Sequence, residues 1–187
     1  LKIAGILATT SSYLTLPLVF VYLSYRLIGR VDSKAIFIQT AVQLSGTFLF
    51  VTISLYFKKL LNSLFKFQDT DRNIDLMIVA SVIAGILSII ALYFSTLKES
   101  IGFTVIILMV AQGIVQFQFG YKLLKLPNDL GGILKPFCYA NMATGIFLAT
   151  VLLIPMGILV SAISDLMLGT IFFKMSKAAT ASELSKA

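Results

Sequence analysis

Charged residues along this chain punctuate long apolar runs, and the runs serve as rulers. A helix rises about 1.5 Å per residue, so about 20 apolar residues cross the hydrocarbon core of a bilayer. Four stretches fit one crossing each: 3–25 between Lys2 and Arg26, 35–57 between Lys34 and Lys58, 76–97 between Asp75 and Lys98, and 100–121 between Glu99 and Lys122. The last stretch, 136–173, contains a single charge, Asp165. As one straight helix it would measure about 57 Å, close to twice the hydrocarbon thickness. Leu153-Ile154-Pro155-Met156-Gly157 offers a place to double back, because proline cannot continue the preceding helix and glycine accepts positive φ. The spacing thus predicts spans near 137–154 and 157–173, with a Pro155-kinked single helix as the alternative.

Loop charge separates the two layouts. With five spans the fifteen Lys and Arg residues divide eight against seven and set no orientation. With six, only Arg26, Arg30, Lys34 and Lys98 lie on one side, and the other eleven share the side of both termini. That asymmetry matches the positive-inside bias. The fold class expected is all-α: a polytopic transmembrane bundle forming one domain over residues 1–175, its six spans arranged as three hairpins. Both ends are expected in the cytoplasm, with 176–187 a mobile tail.

Each hairpin ends in an aromatic–lysine pair, Phe57-Lys58, Tyr121-Lys122 and Phe173-Lys174, as expected where a ring and a snorkelling cation mark the headgroup level. Gly-Ile pairs recur at Gly5-Ile6, Gly85-Ile86 and Gly145-Ile146, followed in the first and third hairpins by Pro17 and Pro155. The stretch from Thr144-Gly145-Ile146 through Pro155 to Gly169 and Phe173, with its echo from Gly85 to Tyr121, resembles the repeat of the HdeD-type acid-resistance membrane proteins. The resemblance covers the last two hairpins. It implies a small six-span protein of the bacterial inner membrane and assigns no functional residue.

Composition sharpens the class. The chain is 58% hydrophobic and 12% charged, against about 45–50% and about 25% for a globular domain. Its mean hydropathy of +0.98 belongs to an integral membrane protein. The absence of histidine excludes His-ligated haem or metal and Ser-His-Asp catalysis, and one cysteine excludes an internal disulfide or a Cys-x-x-Cys pair. Cys138 reads as a buried, inert thiol. No cofactor and no metal is expected. The net charge of +7 flanks apolar spans, where it meets anionic lipid rather than nucleic acid.

Polar groups inside the spans carry the remaining information. Asp165 lies about 12 Å from the span end at Phe173, a depth at which a charged carboxylate costs at least about 2.5–3.5 kcal/mol. It must be neutral, face a hydrated cavity, or meet a donor. Gln112 and Gln116, and likewise Gln39 and Gln43, stand four residues apart and share a helical face that should turn from lipid. Gly157, Ser161, Asp165 and Gly169 repeat at four-residue steps, and Ser81 with Gly85, and Ala4, Ala8 and Ser12, form comparable stripes for close helix packing.

The connectors read more plainly. Residues 58–67 carry apolar positions at 60, 61, 64 and 65, fitting either an interfacial helix or a frayed helix end. Asp69-Thr70-Asp71-Arg72-Asn73 starts like a calcium loop but lacks its glycine and closing glutamate, so Asp71 or Asn73 reads as a helix cap. Leu126-Pro127-Asn128-Asp129-Leu130-Gly131-Gly132 is a turn without phosphate-loop residues. The chain starts at Leu1 rather than Met, which leaves room for a preceding segment or signal anchor.

Two functions fit. The first is a non-enzymatic membrane protein acting through helix packing, with lipid, copies of itself or other membrane subunits as partners. The second is a small transporter or channel, with Asp165, Ser161, Gln112, Gln116, Gln39 and Gln43 lining a mid-membrane polar path. A lipid-acting enzyme would need clustered carboxylates or a nucleophile beside a base.

Overall fold

The computed structural model describes residues 1–28, 33–151 and 153–184. Among these, six α-helices and one 3-10 turn (Ser95–Leu97) form the fold, without a strand: α1 (Lys2–Ile28), α2 (Ser33–Leu64), α3 (Asp71–Tyr93), α4 (Lys98–Leu123), α5 (Leu134–Ala149) and α6 (Ile154–Leu184). Four stretches, Ile36–Leu64, Asp71–Tyr93, Glu99–Leu123 and Ile154–Ala178, are long and apolar enough to cross a membrane. Phe37, Phe48, Phe103 and Tyr13 are each about two-thirds exposed or more. Apolar exposure of this kind suits lipid and not water.

Successive helices run antiparallel, as their cross-contacts show. Lys58 near the end of α2 pairs with Asp75 near the start of α3 at 2.7 Å, while Gly85 further along α3 meets Thr47 and Gln43 of α2. Gln116 of α4 faces Asn141 of α5, and Gly113, one turn earlier, faces Gly145. Each helix packs on its sequence neighbours, and α1 packs on α6. The result is a closed ring of six helices with no backbone contact across it among the described residues.

Two seams depend on missing side chains. A Cβ on Gly113 would lie 2.6 Å from the Gly145 carbonyl, and one on Gly145 would lie 2.5 Å from the Gly113 carbonyl, so α4 and α5 approach backbone to backbone. A Cβ on Gly169 would lie 2.6 Å from Thr9 Oγ1, and Ser12 Oγ donates to the Ala162 carbonyl at 2.6 Å. Ala4, Ala8 and Ser12 of α1 are buried along this α1–α6 seam.

Several expectations need correction. The 136–173 stretch does double back, but the reversal comes between the end of α5 at Ala149 and the start of α6 at Ile154, where Val151 takes φ +57. Pro155 is the second residue of α6, a place where its missing N–H costs nothing. Residues 176–184, expected as mobile tail, continue α6; 185–187 lie outside the described residues. The 58–67 connector neither lies along an interface nor frays, because α2 continues to Leu64 and buries Leu60 and Leu61 in the core. Phe57 marks no headgroup level either, being buried, whereas Tyr121 and Phe173 are exposed. Neither Asp71 nor Asn73 caps α3: Asp71 accepts from Asn62, and Asn73 accepts from Lys122 and donates to the Val115 carbonyl.

The 126–132 turn is present, held by the Leu130 N–H bonded to Asn128 Oδ1 and by three backbone N–H groups on the Asp129 carbonyl. Leu130, Gly131 and Gly132 all take positive φ there. Leu126 and Leu130 fold back into the bundle and are buried with Leu60, Leu61, Leu123 and Leu134.

Candidate functional site

A cavity of about 70 Å³ lies inside the ring and is lined by all six helices. α1 contributes Ser11, α2 Ser54 and Phe57, α3 Ile74 and Met77, α4 Gln116 and Phe119, α5 Phe137 and Asn141, and α6 Ser161, Ser164, Asp165 and Leu168. It has room for a few waters. Asp165 is its one ionisable side chain.

The hydrogen bonds order its wall. Ser11 Oγ donates to Asp165 Oδ2 at 3.3 Å, tying the carboxyl to α1. Gln116 Nε2 donates to Asn141 Oδ1 at 3.3 Å, and Asn141 Nδ2 donates to the Phe137 carbonyl (2.9 Å) and to Ser164 Oγ (2.8 Å). Asn141 therefore joins α4, α5 and α6 at the level of the cavity. It is buried, where an amide without partners would be costly.

On one side the cavity ends in aromatic rings. Phe57 meets Phe119, Phe137 and Phe172 edge-on, with ring centroids 6.1, 5.6 and 6.2 Å away. Phe57 follows Ser54 by three residues, Phe119 follows Gln116 by three, Phe137 precedes Asn141 by four and Phe172 follows Asp165 by seven. With alternating helix directions, all four rings lie one or two turns towards the end that carries the α2–α3 and α4–α5 connectors. The buried leucines at 60, 61, 123, 126, 130 and 134 lie beyond them. On the other side, the buried described residues are small: Ser12, Gly85, Gly113, Thr144, Gly145, Gly157 and Ala162.

Of the residues singled out by sequence, Asp165, Ser161 and Gln116 reach the cavity; Gln112, Gln39 and Gln43 do not line it. An i, i+4 pair shares a face but stands about 6 Å apart along the axis, so one member can reach a cavity that the other misses. Gly85 and Gly169 sit at tight helix contacts, and Gly157 packs on Phe147 and Leu148 of α5. Ser81 is half-buried. The four-residue stripe on α6 divides between neighbours because each step of four turns the helix about 40° past a full circle. Gly157 faces α5, while Asp165 and Gly169 face α1.

Asn141, Ser11, Ser54 and Ser164 were not anticipated at the site. Asn141 was detectable as a lone amide within the longest apolar stretch; the serines, which satisfy themselves within any helix, gave no signal. Cys138 is buried, as its apolar neighbours imply. Among the described residues, no three His, Cys, Asp or Glu side chains gather as a metal cluster. No protein family, characterised protein or solved structure matches the chain.

Proposed function

We propose that this chain is a six-span membrane protein of the transporter or channel type, in which the central cavity is the solute path and Asp165 its binding group. One observation carries the reading: every helix contributes to the cavity wall, and the lone carboxyl of the longest apolar stretch is part of that wall. An ionisable residue at such depth is costly unless it lines a wet cavity, and the intramembrane polar sites of transporters have this character.

The six-span layout, with both termini in the cytoplasm, is supported by the up-and-down order of the helices and by the ten described basic residues on the connector side. α5 is the short member at about 24 Å, less than the hydrocarbon thickness, and is sheltered between α4 and α6. Placement in a bacterial inner membrane is part of the proposal and rests only on the resemblance of the last two hairpins to the HdeD-type proteins.

A role through helix packing alone, as a homo-oligomer or as a subunit of a larger assembly, draws on the glycine and serine stripes. Gly85, Gly157 and Gly169 are occupied by contacts within the chain, and Ala4, Ala8 and Ser12 are buried, so these positions offer no outward face for a second subunit. This favours the cavity as the seat of function.

Reconstitution into liposomes tests the reading. Vesicles holding the protein should pass Na⁺, protons or glycerol faster than empty vesicles, and Asp165→Asn should lower the rate at least tenfold. Equal permeability of loaded and empty vesicles overturns it. For the layout, single cysteines at Asn128 and Met156 in a Cys138→Ala background should react with impermeant reagents from opposite faces; labelling from one face refutes six spans.

A further inference from the structure

The chemistry of the cavity wall points to its occupant. We infer that the cavity binds a small monovalent cation at Asp165, an inference that rests on the reading of the cavity as a solute path.

Charge gives the first argument. The wall contains one carboxylate and no Lys or Arg. The nearest charges on the surrounding helices, Lys2, Lys58, Asp75, Lys122, Lys135 and Lys174, all lie outside the wall towards the connector end. When ionised, a carboxyl so placed requires a counter-cation, and a single positive charge neutralises it. A divalent ion would leave one charge uncompensated in a poorly solvated space.

The direction of the hydrogen bonds gives the second. Asn141 commits both amide hydrogens to protein acceptors, and Gln116 donates to Asn141. Among the described residues, Asp165 Oδ1 and Gln116 Oε1 have no protein donor. Neither is among the buried side-chain atoms that lack a partner, so both are accessible to a small ligand, and both belong to residues of the wall. Ser54 and Ser161 add hydroxyl oxygens. The hydroxyls and the second Gln116 amide hydrogen can donate as well, so the wall suits a hydrated cation, with the carboxyl and amide oxygens facing the ion and the donors holding its waters.

Size supplies the third. About 70 Å³ suits a cation with a few waters and is small for a hexose.

The test uses the full-length protein in liposomes and in nanodiscs, with Na⁺, ammonium, a pH gradient and glycerol as probes, and choline replacing Na⁺ at constant ionic strength. Na⁺ or ammonium, or acid in their absence, should raise the unfolding temperature saturably and drive flux. Asp165→Asn should abolish both effects, and Asp165→Glu should retain them with at least a threefold weaker half-saturation. A Na⁺ effect at fixed pH identifies a metal cation; dissipation of a pH gradient without a Na⁺ or ammonium effect identifies the proton; either supports the inference. Glycerol flux that falls in Asp165→Asn, with no Na⁺, ammonium or proton effect in wild type, overturns it while leaving the solute path and its binding group intact. Vesicles impermeable to every probe refute the path itself. If Asp165→Asn does not fold, Asp165→Glu and Gln116→Leu carry the test, and unchanged half-saturation in both overturns the inference.

Discussion

Asn141 connects three helices through one side chain, accepting from Gln116 of α4 and donating to Ser164 of α6 and to the Phe137 carbonyl of its own helix. Interhelical hydrogen bonds inside membranes contribute about 0.6 kcal/mol on average and about 1–2 kcal/mol in model peptides. Asn141→Ala removes two of them and leaves a small void, so it should cost about 1–2 kcal/mol in reversible unfolding in detergent or bicelles. Gln116→Ala added to it should cost less than the sum of the two single changes, since both interrupt one link; strict additivity would show that the link is not made. The exposed Lys58–Asp75 pair is the contrast: Lys58→Ala should change stability by under about 1 kcal/mol. Asp165 was legible in the sequence because a lone charge in a long apolar run has few places to go. Asn141 escaped notice because a single amide carries no periodicity to reveal which face it occupies. Gln39, Gln43 and Gln112 show the converse, a periodicity that fixes a shared face without fixing what that face meets.

Between elements, stability depends on how closely backbones approach. Gly113→Ala and Gly145→Ala each drive a methyl group into a facing carbonyl at 2.5–2.6 Å, so α4 and α5 must separate. Each should cost about 1–3 kcal/mol, the usual range for overpacking. Gly46→Ala and Gly102→Ala meet nothing within 4 Å and should be neutral or stabilising by up to about 1 kcal/mol through helix propensity. The same unfolding assay ranks all four, and a loss at Gly46 equal to that at Gly113 would refute the seam. The α5–α6 reversal offers a gain. Val151 is β-branched and held at φ +57, a conformation that costs an L-residue about 1–2 kcal/mol, so Val151→Gly should raise the unfolding temperature. That reversal was legible from length and loop charge together, since 136–173 is long for one crossing and the basic residues divide unevenly only with a sixth span. Its position was not: proline is as acceptable in the first turn of a helix as after the last, and only packing decides.

At the scale of the whole molecule, run lengths, the proline-glycine turn and loop charge together pointed to six helices but not to the ring, because closure depends on α1 meeting α6 through residues far apart in sequence. The ring has unlike ends. Towards the connectors, four phenylalanines and a layer of leucines fill its centre; beyond the cavity on the other side, only small described residues are buried. Phe57 is the ring that reaches furthest across, touching Phe119 of α4, Phe137 of α5 and Phe172 of α6. If the cavity is a solute path, this layer is what closes it on the connector side. Phe57→Ala removes the shared centre of the layer and should act in two separable ways. Stability should fall by about 3–5 kcal/mol, the cost of a large-to-small change in a packed core. Passive leak of Na⁺ or glycerol through reconstituted protein should rise, whereas Leu61→Ala, equally buried but beyond the rings, should destabilise without raising leak. Liposome flux beside unfolding measurements distinguishes a seal from a core: equal leak from both variants, or from neither, would mean that the phenylalanines only pack.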